Sequence, residues 1–137
     1  MRFVILRTVA LVGLMTTAHA APPNCGVIAA ADLAEALGGP PRPEQVRLLA
    51  EAHAGPDVSM EEVRDMAGSL GAQVAGYRAS VDELGERGEP AIAHLSAPEH
   101  FACVVGIDAQ WVQMLDGWPS RLEVMARAEF EARYTGA

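Results

Sequence analysis

Three side chains of this sequence have the types and settings needed for nucleophilic chemistry: Cys25, His100 and Asp116. Cys25 stands at the doorstep of an Ala/Leu-rich stretch, Gly26 to Leu37, that reads as a helix. His100 opens the apolar run Phe101-Ala102-Cys103-Val104-Val105-Gly106, and Asp116 follows a second such run from Trp111. A cysteine attacks as its thiolate, and at neutral pH a free thiol is mostly protonated. The first turn of a helix carries unpaired N–H groups and a partial positive charge that favour an anion there. A neighbouring histidine can take the thiol proton and later return it to a leaving amine. A carboxylate accepting the other ring N–H would fix the tautomer and the ring's orientation.

The elements that must position these groups follow from pattern. Gly26–Leu37 is apolar on nearly every face, as a buried central helix would be, and Gly38-Gly39-Pro40-Pro41 ends it. Pro43–His53 is amphipathic. Ser59 with Glu62, and Ser80 with Glu83, have capping-box spacing and start two further helices, closed by Gly71 and Gly88. Gln73–Arg78 alternates as a short strand would, and Pro90–Leu95 reads as a strand opening on proline. His100–Ile107, Trp111–Asp116 and Arg121–Met125 complete a small antiparallel sheet, with Arg127–Tyr134 as a last short helix. Helices first and sheet later predict an α+β fold.

A hairpin loop at Ile107-Asp108-Ala109 would set His100 directly opposite Asp116, with Cβ atoms roughly 5 Å apart on one face. Loops of two or four residues are also compatible with the sequence. The same alternation turns Cys103 to the face away from His100, so a nucleophile at Cys25 and a Cys25–Cys103 disulfide exclude each other.

Residues 1–20 differ in kind from the rest. Arg2 and Arg7 lie near the start, Thr8–Met15 is a short apolar run, and Ala18-His19-Ala20 offers small residues at a cut site. This is the pattern of a secretory signal peptide, leaving residues 21–137 as one exported domain, periplasmic or extracellular. Without residues 1–20 the chain has eight basic against eighteen acidic side chains, a formal charge of −10. Such a charge argues against nucleic acid and anionic membranes as partners. No later segment is long and apolar enough to span a bilayer.

Other readings of single residues are weaker. Leu33–Gly39 resembles the end of a double-glycine leader, but Gly-Gly after a helix is ordinary capping. His94, His100 and Asp116 could be drawn as a zinc site, although the spacing of the two histidines is not a sharp ligand signature. His53 suits a helix C-terminus, Trp111 suits packing, and Trp118 is placed to pack or to line a cleft near Asp116.

Taken together, Asn24-Cys25-Gly26-Val27, Pro90-Ala-Ile-Ala-His94, His100-Phe-Ala-Cys-Val-Val-Gly-Ile-Asp108 and Glu129-Phe-Glu-Ala-Arg-Tyr-Thr-Gly136 resemble bacteriocin-processing, double-glycine-type cysteine peptidase domains. The resemblance implies a papain-like fold and peptide-bond hydrolysis without cofactor or metal. It carries over Cys25 as nucleophile, His100 as base and Asp116 as orienting carboxylate, with a peptide or protein as substrate. The family places a glutamine six residues before the cysteine, where this chain has His19, and commonly a proline after the aspartate, where it has Gly117. It is also often fused to a membrane transporter with an ATPase, and neither is present in these 137 residues, so ATP is not an expected partner. The alternative is a catalytically silent member that binds peptides in the same cleft.

Overall fold

The computed structural model describes residues 23–137. The signal peptide expected over 1–20, with His19, lies outside the described residues.

The first described element is α1 (Cys25–Ala36), capped by Asn24, whose side-chain oxygen accepts from the Val27 N–H at 2.9 Å. Its Gly26, Val27 and Ala29–Ala34 are all buried. Small side chains let neighbouring elements approach on several sides at once. At Gly26 an added Cβ would lie 3.0 Å from Val63 and 3.2 Å from Val58. Helices α2 (Pro43–Ala52) and α3 (Met60–Ser69) pack beside α1, and α4 (Val81–Arg87) follows. The capping boxes at Ser59/Glu62 and Ser80/Glu83 are both formed. Gly71 and Gly88 follow their helices at φ +91° and +63°, a conformation that costs glycine nothing.

The sheet runs β1 (Ala91–Leu95), β2 (His100–Ile107), β3 (Trp111–Leu115) and β4 (Leu122–Ala126), all antiparallel and in chain order, before α5 (Arg127–Arg133). One face, with Ile92, Phe101, Cys103 and Leu115, packs against α1 and α3. The other, with Ala93, Leu95, Ala102, Val104, Val112 and Met114, is covered by Val81 of α4 and Phe130 of α5. Phe130 is fully buried, worth about 2–3 kcal/mol by area.

Four expectations are corrected. Residues 73–78 form no strand. Ala72 and Val74 are half-buried and Gln73 and Ala75 exposed, so the alternation is that of an extended chain without a ladder partner. The edge of β1 is taken instead by the C-terminal residues: His94 N–H donates to Ala137 O, and Thr135 N–H to His94 O.

The hairpin register also differs. Asp108 Oδ1 accepts from the Gln110 and Trp111 N–H groups, both at 2.8 Å, which closes the turn over Asp108–Gln110. Ile107 then faces Val112, a bulge intervenes between Val104 and Gly106, and beyond it Val104 faces Met114. Continued past the last pair, that ladder sets Asp116 opposite Ala102, diagonal to His100 rather than facing it.

Third, Cys103 does not lie in the layer away from Cys25; both belong to the cluster around α1. His100 is the first residue of its strand, where the period-two alternation no longer dictates which layer a ring can reach. Fourth, Trp111 is 48% exposed: it shares the Leu115 face of β3 but stands at the hairpin end, outside the cluster around α1.

Candidate active site

Cys25 is the first residue of α1, half-buried, with its sulfur within hydrogen-bond reach of His100. The Phe101 backbone N–H also acts on this sulfur and lowers its pKa. His100 Nε2 lies 2.9 Å from Asp116 Oδ2, which leaves Nδ1 as the ring atom free to meet the thiol. The side chains of His100 and Asp116 are 29% and 34% exposed, so solvent or a substrate can approach the pair. The structure thus brings together all three residues singled out in the sequence. Asp116 sits past the end of β3, its N–H bonded to Arg121 O at 2.9 Å, and reaches His100 across the diagonal.

Each group changes the titration of the next. The hydrogen bond from His100 holds the Cys25 thiol below its ordinary value; burial opposes this, and the Phe101 N–H assists. The hydrogen bond to Cys25 raises His100, burial opposes this, and the charge and hydrogen bond of Asp116 add to the rise. The arrangement favours a thiolate beside an imidazolium. Cys103 is the contrast: fully buried, it is pushed up to about 12 by loss of solvation and by the nearby Asp32. Both cysteines are free thiols, so the alternative disulfide is not formed.

The first turn of α1 holds two more features. Val27 N–H is taken by Asn24 Oδ1 and Ile28 N–H by Asn24 O; the Cys25 N–H acts on the thiol of its own residue and lowers its pKa, and the Gly26 N–H has no acceptor among the described residues. The Asn24 amide also donates to His53 O at 2.7 Å and Gly55 O at 2.9 Å, tying the α2–α3 loop to the turn that bears the thiol. Sequence reasoning missed this role, though asparagine just before a helical run is a cap signal. It also missed Asp32, a carboxyl with no exposure in the middle of α1. Its only sign was one acidic residue inside an otherwise apolar stretch, Ile28 to Ala34.

His94 does not join a metal site with His100. Its ring bonds Thr135 Oγ1 at 3.0 Å and the Glu99 carboxylate, and among the described residues no group of three or more His, Cys, Asp or Glu side chains is placed to hold a metal. Trp118 packs half-buried against the α1 cluster. A cavity of about 830 Å³ between α1, α3 and β1, lined by Leu33, Leu37, Val63, Tyr77 and Ile92 among others, includes none of Cys25, His100 and Asp116.

A helix bearing a thiol at its N-terminus, laid over an antiparallel sheet that presents a histidine, defines the papain-like α+β class. Residues 15–137 match the profile of the Peptidase C39 family, nearly the whole chain. The protein belongs to that family and is a cysteine peptidase domain of the bacteriocin-processing type. No curated protein matches the chain at a significant level.

Proposed function

We propose that this domain hydrolyses peptide bonds with Cys25 as nucleophile, His100 as acid and base, and Asp116 as the carboxylate that orients the ring. The observation that carries the reading is the His100–Asp116 contact, 2.9 Å long, beside a Cys25 thiol whose pKa is lowered chiefly by His100. In the reaction the thiolate attacks the scissile carbonyl carbon, and the imidazolium gives its proton to the departing amine. Water, losing a proton to His100, then cleaves the thioester and regenerates the thiol. The Cys25 and Gly26 N–H groups at the helix start, which no backbone carbonyl of the described residues takes, are the donors available to the oxyanion, and such a donor is worth roughly 100- to 1,000-fold in rate. The protein acts outside the cytoplasm after loss of residues 1–20, on a peptide or protein, without ATP.

The second reading, a silent peptide binder, is favoured by His19 standing where the family has glutamine. Incubation of the protein lacking residues 1–20 with a peptide library, followed by mass spectrometry, separates the two. Cleavage lost in Cys25→Ala supports the peptidase. Binding equal in parent and Cys25→Ala, with no product from either, supports the binder.

A further inference from the structure

Asp32 lies on α1 two turns beyond the nucleophile, with no solvent exposure, and the mechanism above does not use it. Its carboxyl accepts the Gly117 N–H at 3.3 Å through Oδ2 and meets the Ser120 hydroxyl through Oδ1. Gly117 is the residue next to Asp116, and Ser120 closes the same loop before Arg121 takes up the Asp116 N–H. Gly117 has φ +135°, and an added Cβ would lie 3.2 Å from Pro119 O. The loop is therefore folded tightly, and its backbone donor is aimed at a side chain of the helix.

We propose that Asp32 is a positioning residue: from the middle of α1 it fastens the 116–120 loop through Gly117 and Ser120, in the conformation that presents Asp116 to His100. The inference rests on the roles given above to Cys25, His100 and Asp116. The hydrogen-bond count at Ser120 adds a constraint. Its Oγ meets both Asp32 and, at 2.5 Å, Glu35 Oε2, yet a hydroxyl has one hydrogen to give. Two carboxyl groups on one hydroxyl require a proton on one of them. Asp32 is the group suited to hold it, since burial raises it to about 6 against the hydrogen bonds from Ser120 and Gly117, which lower it, and the charges of Asp116 and Glu35 push upward too. Among the described residues, the titratable groups facing it are Glu35 on its own helix, Asp116 from the loop and the Cys103 thiol from β2, none of them a base. Protonated, Asp32 donates to Ser120 Oγ, Ser120 donates to Glu35, and the other Asp32 oxygen keeps the Gly117 N–H.

Asparagine reproduces both contacts and alanine neither, which gives the test. His100 is titrated by NMR, and Cys25 is alkylated with iodoacetamide at pH 6, in the parent, Asp32→Asn and Asp32→Ala. In Asp32→Ala, His100 loses its carboxylate, its pKa falls, and Cys25 alkylation slows roughly tenfold, the effect of about one pH unit on the thiolate fraction. Asp32→Asn keeps parental values in both. Ser120→Ala, altered on the loop itself, shifts both readouts in the direction of Asp32→Ala and serves if the latter does not fold. Parental titration and alkylation in Asp32→Ala, whatever its melting temperature, overturn the proposal, as do parental values in Ser120→Ala. An Asp32→Asn protein that behaves as the alanine variant overturns it too. Peptide cleavage is not among the readouts, so failure of the peptidase assignment shows separately, as a parent that cuts nothing.

Discussion

At the scale of single residues, two thiols in one small chain differ because of what surrounds them. Cys25 has a histidine and a backbone donor, while Cys103 has only hydrocarbon and a buried carboxyl. Iodoacetamide is therefore expected to label Cys25 in the folded protein and to reach Cys103 only after unfolding, as peptide mapping of the labelled chain checks. The shifts of Cys25 and His100 run in opposite directions, so the two titrate as a pair. Sign follows from each. The lowered Cys25 pKa makes the thiolate contribute above that value and lose its contribution as pH falls through it. The raised His100 pKa makes the imidazolium contribute below it and vanish as pH rises through it. A bell-shaped kcat/KM profile is expected, with its acid limb below the ordinary thiol range and its alkaline limb above the ordinary histidine value. Cys25→Ala and His100→Ala should abolish cleavage. Asp116→Ala, which removes the acceptor that orients the ring, should lower kcat by up to about 10⁴-fold, the order known for a disabled orienting carboxylate.

At the scale of elements, α1 depends on a cap and on the absence of a side chain. Asn24→Ala removes the Val27 bond and two ties to the α2–α3 loop, and should cost about 1–2 kcal/mol in urea unfolding. Gly26→Ala pushes a methyl against Val63 and Val58 and should cost about 1–3 kcal/mol, while slowing Cys25 alkylation because the first turn shifts. The helices and their limits were legible in the sequence because their signals are local: Ser59 with Glu62, Ser80 with Glu83, glycine at each end. The hairpin register was not. It is set by the Asp108 carboxylate closing a three-residue turn, one of several loop lengths the sequence allows, and by a bulge near Val105 that depends on cross-strand packing the sequence does not display. Residues 73–78 carry strand-like alternation, yet the place beside β1 is taken by Thr135–Ala137. The proximity of Cys25 and His100 was legible. The layer of Cys103 was not, because a strand's first residue escapes the alternation that governs its third.

Across the described residues, the sheet is covered on both faces, by α1 with α2 and α3 packed around it on one side and by α4 and α5 on the other. The two cores share β2, which carries Phe101 and Cys103 into one and Ala102 and Val104 into the other. Unfolding should therefore be a single cooperative transition by circular dichroism and by fluorescence. With both thiols free, its midpoint should not move on addition of reductant. Export with removal of residues 1–20 is checked by sequencing the protein recovered outside the cytoplasm, whose first residue should be Ala21. The family match begins at residue 15, so a start ahead of His19 would instead keep that side chain within the matched region.

Part of what lowers the nucleophile's pKa is beyond the reach of ordinary mutagenesis. The Phe101 amide acts on the sulfur through the main chain, so replacing any side chain by alanine leaves it in place. A survey of substitutions will credit the imidazole with all the acidity it removes and the amide with none. The reactivity that persists at Cys25 in a His100→Ala protein measures what the backbone supplies by itself.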